Sequence, residues 1–524
     1  MTNKKKVVIV GGGLSGLTAG FYLLKNGFDV EIVEKNATLG GLCTGWVRKG
    51  SYIDGCIHWL TESNHGELYS VMREIGVLAD DVPVAHLEAY SQAVTPSATV
   101  NFYLDADRLQ QELERFATPN DLPKVRQLVG YIRRCRRNLI TAGNPYHMWG
   151  LIDSIKFIFR IIPLLKVLKR GSTITIDEFA DSLESPELRF ALKNTFVPGL
   201  YSVFSFANTM GGICDHNSGI PLGGSKAFAY RLVESYKKQG GAIRTNSPVS
   251  QILLKGDVAT GILLQNGEVI NADYVVPACD VHYTQSVLLN DAFPITQLKE
   301  AEAQKETYPS FSLFMISFRT KADVSNLNVN RYVACEKFKV LDSEYECIYL
   351  KHFGYDKSLE NDGYTVVQAI LECSENGFNA LEAMSRDGYK SFKDHLATQV
   401  TGVIANAVGH EYGELELLDV CTPLTFTHWV NAYKGTFMAH ILSKHNRQYI
   451  LRNDILPLRN VALAGHWMMM PGGVPIAILQ GKFAAATIQH MHRFPHKFNL
   501  EKALKQLRKP LRKVADHSFF KRDS

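Results

Sequence analysis

The chain has 524 residues, 46% of them hydrophobic, enough to bury a large core in about two or three domains. Its net charge is only +5, and no nucleic-acid motif accompanies the basic clusters at 133–137, 156–170 and 497–513, which excludes a nucleic acid as partner. The nine scattered cysteines, odd in number and without a C-x-x-C pair, exclude a disulfide framework and suit a reducing cytoplasm.

The opening MTNKKKVVIVGGG imitates a signal peptide, with basic residues before apolar ones. Its apolar part is only a few residues long and is needed as a strand, so secretion is not expected. Val7 to Val10 reads as a buried strand running into Gly11, Gly13 and Gly16 in G-x-G-x-x-G spacing. A helix is expected from Leu14 and Ser15 to Asn26, with Gly27 placed to end it. A second strand, Val30 to Val33, then delivers Glu34 to its C-terminal end. In such a unit Gly11 allows the tight turn, Gly13 lets the backbone approach a pyrophosphate, and Gly16 lets helix pack on strand. The pyrophosphate rests on the free N–H groups and positive dipole end of the helix. Glu34, about 20 residues beyond the loop, can accept hydrogen bonds from an adenosine ribose. Strand, loop, helix, strand and acid in this order predict a dinucleotide site. Lys35 follows, then a second glycine pair, Gly40-Gly41, and Leu42.

Between Leu151 and Arg170, the residues Leu151, Ile155, Ile158, Phe159 and Ile162 share one helical face, and Lys156 and Arg160 point away from it. Beyond Pro163 a kink is needed to keep Lys166, Lys169 and Arg170 on the polar side. This is the pattern of an interfacial helix on a membrane surface, or of a core helix with a solvated basic side. No run of about 18 apolar residues occurs, so no transmembrane helix is expected. The segments Phe190 to Phe204 and Phe311 to Phe318 can line an apolar tunnel or fill a core. Cys279, Asp280 and His282 fit no common metal spacing, and no metal is expected. Near the end, Asn460 to Ile488 reads as an apolar strand reaching Gly465 and His466, a turn at Gly472-Gly473, and a helix starting near Pro471 and including Val474. The basic tail from Leu500 to Val514 can add to membrane attraction or be a solvated helix.

Glu34-Lys35 followed by Gly40-Gly41 resembles the extended motif of the glutathione-reductase-like FAD proteins, whose loop closes over a bound flavin. Gly50-Ser51-Tyr52-Ile53-Asp54-Gly55-Cys56-Ile57-His58 is similar to the G-Y-x-F-D-x-G-x-H stretch of the phytoene desaturase, carotenoid isomerase and retinol saturase group of flavoproteins. Further matches are Pro221-Leu222-Gly223-Gly224-Ser225, the patterned stretch from Gly240 through Val249 to Val276, and Thr422-Pro423-Leu424-Thr425 with Gly435 downstream. The resemblance covers almost the whole chain.

It implies an α/β fold: a glutathione-reductase-like FAD-binding Rossmann domain with a mixed-sheet plus helical substrate domain. The FAD domain is expected from residues 1–90, 211–290 and 446–495. A substrate-binding and membrane-facing helical domain is expected over 91–210, a substrate domain over 291–445, and a basic tail over 496–524. FAD is the implied cofactor, with Val249 at its adenine end and the helix after Gly472-Gly473 aimed at the flavin ring. His466 stands where many relatives carry an acid for the ribityl chain. His58 is the candidate proton partner, or else a residue that orients its loop. The implied function is an FAD-dependent oxidoreductase acting on C=C bonds of a hydrophobic polyene lipid by hydride transfer at flavin N5. Flavin amine oxidases and fatty-acid double-bond isomerases on the same fold are alternatives, as is a prenyl-lipid binding protein of the GDP-dissociation-inhibitor type without flavin. Expected partners are a hydrophobic small molecule, a membrane surface bound peripherally from the cytoplasm, and quinone or oxygen as electron partner.

Overall fold

A computed structural model describes residues 4–136, 141–195 and 200–494. The first unit comprises the strand Lys6–Val10, the helix Leu14–Lys25 and the strand Asp29–Val33. Both strands belong to a four-stranded parallel sheet, in the order Ala242–Arg244, Asp29–Val33, Lys6–Val10, Tyr274–Pro277. Val461 adds a parallel bridge to Val275, so segments from the start, middle and end of the chain meet edge to edge. A parallel sheet is covered on both faces, and Val7, Val8 and Ile9 are accordingly without solvent contact. Tyr236 pins two strands together, its hydroxyl donating to the carbonyls of Val30 and Ala242 at 3.0 Å each.

The terminal helix of this layer runs from Val474 to Arg493, three residues later than the start expected near Pro471. Gly472 and Gly473 have φ of +87° and +88°, outside the right-handed helical region, so the turn holds the chain away from helix until Val474. The helix crosses the Leu14–Lys25 helix closely, and Ser15 Oγ donates to the Ala477 carbonyl at 2.8 Å.

A second, seven-stranded mixed sheet has the order Glu416–Cys421, Ser312–Thr320, Thr365–Cys373, Ser343–His352, Asn330–Val340, Ala89–Val94, Thr99–Tyr103. Its last two strands carry residues 91–103, which the sequence assigned to a helical domain. Ala89–Val94 pairs instead in parallel with Asn330–Val340, and Thr99–Tyr103 pairs antiparallel with Ala89–Val94 as the edge strand. Helices Ala106–Phe116, Leu122–Arg134, Ile176–Asp181, Pro186–Asn194 and Val203–Ile213 pack around a core of their own that includes Leu109, Leu128, Phe179 and Met210.

The helix Leu151–Ile161 behaves differently. It buries no residue at all, and Leu151, Ile152 and Phe159 are 77%, 69% and 69% exposed. The core alternative is therefore not adopted by Leu151–Ile161, whereas Leu164 and Val167 further along the segment are buried in the helical core. The kink expected near Pro163 is present as a 3-10 turn over Ile162–Leu164. Arg160 pairs with Glu67. Among the described residues no helix is long and apolar enough to cross a membrane. The basic tail at 496–524 lies outside the described residues.

Candidate functional site

Gly11, Gly13, Leu14, Ser15, Glu34, Lys35, Gly40, Gly41, Leu42, Val249, Gly465, His466, Gly473 and Val474 line one cavity of about 440 Å³. Two helices begin at it. Gly13 caps the Leu14–Lys25 helix and Gly473 caps the Val474–Arg493 helix, neither with a side-chain cap, so their first-turn N–H groups remain available for an anionic ligand. The two glycine motifs are laid side by side by a bridge between Gly13 and Gly40 and by the Gly40 N–H donating to the Gly12 carbonyl at 2.9 Å. A Cβ on Gly41 would stand 3.1 Å from the Gly13 Cα and fill the cleft between them. Gly16 is not a lining residue. It is the contact between helix and strand, where a Cβ would lie 2.1 Å from the Gly11 carbonyl oxygen. Gly472 likewise packs away from the cavity, against Ala439.

Glu34 is buried at the strand end, and its two oxygens accept from the N–H groups of Gly12 at 2.8 Å and Asn36 at 2.9 Å. A carboxylate has about four lone-pair sites, so each oxygen keeps one for a ribose hydroxyl. Lys35 lines the cavity, but its ammonium is committed elsewhere: it donates to the His428 carbonyl at 2.9 Å and to Asn431 Oδ1 at 2.7 Å. His466 is half-buried in the cavity wall, and desolvation there pushes its imidazole down to about 4, so it is neutral at ordinary pH.

The other part of the cavity is apolar. Leu313 and Met315 reach it from the seven-stranded sheet, and Phe426, Val430, Ala432 and Phe437 from the segment that follows the last strand. Behind them lie Tyr201, Phe311, Ile370 and Ile441 in one hydrophobic cluster.

The Gly50–His58 stretch and the Pro221–Ser225 stretch prove to be one assembly. Asp54 Oδ1 accepts from Ser225 Oγ at 2.6 Å and from the Cys56 N–H at 3.0 Å, and Ser225 Oγ accepts from the Ile57 N–H at 2.8 Å. This turn brings Gly55 and Cys56 to the cavity, but not His58. The His58 ring packs on Phe437 and Tyr349 with centroids 5.5 and 6.1 Å away, and its Nδ1 is buried without a hydrogen-bond partner among the described residues. Burial, reinforced by the charge of Lys351, holds its pKa well below 6.5. His58 therefore stands behind the wall as a neutral ring.

Lys351 is the functional-site neighbour that sequence reasoning missed. Its side chain is 1% exposed, its Nζ donates to the Ile57 carbonyl at 3.0 Å, and burial pulls the ammonium down to about 8. In a strand, a lysine between apolar residues is also how a solvent-facing position reads, so the alternation gave no signal.

The cradle fits an adenine dinucleotide: two uncapped helix N-termini, a buried acid with acceptor capacity to spare, and a glycine-lined cleft that a Cβ on Gly41 would crowd. The family described as flavin containing amine oxidoreductase matches residues 14–489. The chain is 24% identical over 328 residues to a lycopene-forming phytoene desaturase of Paracoccus sp. (strain N81106 / MBIC 01143), covering 60% of this chain and 62% of that protein. It is 20% identical over 521 residues to a 4,4'-diapolycopene-forming 4,4'-diapophytoene desaturase of Methylomonas sp, covering 94% and 97%. The match to the Paracoccus protein and to others like it spans about half to just under two thirds of the relatives' own length. The crystal structure of an oxidoreductase from Methanosarcina mazei has the same fold, with a TM-score of 0.58 at 15% identity over 93% of this chain and 100% of that one. The chain belongs to the flavin containing amine oxidoreductase family, and its cofactor is FAD.

Proposed function

We propose that this protein is an oxidoreductase that moves hydride between FAD and a C=C bond of a hydrophobic polyene lipid of the carotenoid or retinoid kind. The observation that carries the reading is the apolar wall of Leu313, Met315, Phe426, Val430, Ala432 and Phe437, which shares its cavity with the glycine cradle. FAD, when bound, supplies a hydride donor or acceptor at N5. The chain's own residues do the rest. The Gly11–Gly13 loop and the N–H groups after it would hold the pyrophosphate, and Glu34 the ribose. Gly465, His466, Gly473 and Val474 would flank the flavin end. The apolar wall would exclude water and hold a conjugated chain. A quinone or oxygen would exchange electrons with the flavin directly.

The family also includes oxidases of amines, and an amine substrate calls for a carboxylate beside its ammonium group. Of the two carboxylates that line this cavity, Asp280 is engaged by His282 and Tyr433, and the spare acceptor sites of Glu34 would be taken by the ribose. That favours the lipid. The test is anaerobic incubation of the holoprotein, its flavin oxidised in one arm and reduced in the other, with a panel of carotenoid, retinoid, unsaturated fatty acid and amine substrates, the products being resolved by mass. A gain of about two mass units marks saturation, a loss of about two desaturation, and an unchanged mass with new retention isomerisation. Turnover of the amines alone would overturn the reading.

The same reading extends to where the lipid is met. The exposed apolar side of Leu151–Ile161, with Lys156, Lys166, Lys169 and Arg170 near it, suits peripheral seating on an anionic leaflet. A lipid substrate would be drawn from that surface.

A further inference from the structure

The segment 428–437 forms part of the cavity wall, and among the side chains outside it that hold it, two attachments come from the residues that line the cofactor cradle. At one, Lys35 and Asn36 hold the carbonyls of His428 and Trp429 and the Asn431 amide. At the other, Asp280 Oδ2 accepts from the Tyr433 N–H at 3.0 Å. The second attachment is built around a buried imidazole. Asp280 Oδ1 lies 2.9 Å from His282 Nδ1, and Glu302 Oε1 lies 3.0 Å from His282 Nε2. The side chains of His282 and Asp280 are 8% and 5% exposed, while that of Glu302 is 27% exposed and opens the cluster to solvent. The Tyr433 ring stacks on the imidazole, with centroids 3.8 Å apart and planes 8° from parallel, and Trp467 meets it edge-on at 4.4 Å.

We propose that Asp280, His282 and Glu302 form a proton-operated latch: with His282 charged, they clamp the Tyr433 turn and so close the 428–437 wall over the bound cofactor. Three features point to it. A doubly charged carboxylate pair this close needs a cation between its members, and the His282 ring is the group placed there. A cation also gains from a tyrosine face stacked on it. And Asp280 is at once a lining residue, the acceptor for Tyr433 and the partner of His282, so its geometry couples ring to wall.

The surroundings single out His282 as the titrating group. Burial opposes its charge, but Asp280 and Glu302 raise its pKa above 6.5. His440 and His466, packed nearby, are pushed down to about 4 by burial and stay neutral. The Tyr433 phenol is pushed up to about 12 by burial. Lys434 and Lys305 are paired with Glu375. A pKa raised by latching means that latching takes up a proton. The hold is complete below the ordinary value of 6.5 and fades as pH rises through the raised one.

The inference rests on FAD being the cofactor but not on the nature of the substrate. The rate at which the holoprotein releases flavin, followed by the rise in free-flavin fluorescence on dilution from pH 6 to pH 9, tests it directly. Release should accelerate with pH by about tenfold for each unit that separates the latched and open pKa of His282. Glu302→Gln, a change at a partly exposed position, should move the midpoint to lower pH. His282→Gln, which keeps an amide to meet Asp280, should make the profile flat. A merely structural role would lower affinity in both variants without touching the pH profile. A wild-type profile that is flat, or one unchanged in His282→Gln, overturns the latch. Exchange protection of the Tyr433 N–H, measured in flavin-free protein across the same range, gives an independent reading: it should fall with rising pH in the wild type and not in His282→Gln. Protection that stays constant in the wild type would equally overturn the proposal.

Discussion

Residues 10–42 and residues 426–437 line the same cavity, but the first stretch does so mainly with backbone and the second with side chains. In the first, glycines, amide N–H groups and one acid create the surface, and each element follows its predecessor in sequence. In the second, Phe426, Val430, Ala432 and Phe437 face the cavity from a segment that Lys35, Asn36 and Asp280, up to several hundred residues away, help to hold in place. A surface made of main chain tolerates almost no added atoms. One made of side chains tolerates exchange of shape but depends on remote anchors.

The sharpest way to break this comparison is Gly16→Val. The new Cβ would lie 2.1 Å from the Gly11 carbonyl, so helix and strand must part. A loss of about 3 kcal/mol or more is expected, with protein purified colourless. A stable, yellow variant would show that the cradle is not limited by main-chain approach. Next, Glu34→Ala leaves the buried N–H groups of Gly12 and Asn36 without acceptors. Flavin affinity, read by fluorescence titration, should fall about tenfold or more.

On the side-chain half, Lys351→Met should stabilise the fold at pH 7 by roughly 1–3 kcal/mol, since a buried ammonium costs more than a well-packed thioether. The pH dependence carries a definite sign. The folded pKa is about 8 against an ordinary 10.5, so between these values the unfolded chain binds more protons and wild-type stability climbs with pH. The advantage of Lys351→Met in urea unfolding should therefore shrink across that window. The smallest effect on stability belongs to the exposed helix. Replacing Leu151, Ile152 and Phe159 together by Ser should change the unfolding free energy by no more than about 0.5 kcal/mol, because none is buried. Flotation with anionic vesicles should nonetheless drop about tenfold or more. Unchanged flotation would remove the case for peripheral seating.

The same contrast explains what could be read in the sequence. The strand, loop, helix, strand and acid of residues 6–34 obey local rules of period, capping and glycine spacing, so their positions agree within a residue or so. The helix after Gly472-Gly473 was placed three residues early because a proline suggests a helical start, whereas two left-handed glycines postpone it. Strand Ala89–Val94 is illegible because its partner Asn330–Val340 lies more than two hundred residues on, and Thr99–Tyr103 joins the sheet only through Ala89–Val94. Lys351 and the Asp280–His282–Glu302 cluster were illegible for a related reason. Their roles exist only after Ile57, Tyr433 and Glu302 are brought beside them, and no periodicity announces that.

The Ser15 hydroxyl bonds to the Ala477 carbonyl across 462 residues of chain. During synthesis, then, the nucleotide loop emerges from the ribosome 462 residues ahead of the helix that completes its pocket. Until then the growing polypeptide can offer FAD only half a berth, with the apolar crossing surface of its first helix uncovered. Cofactor capture is thereby deferred until that helix is made, and nascent chains stalled before residue 474 should need a chaperone to stay out of aggregates.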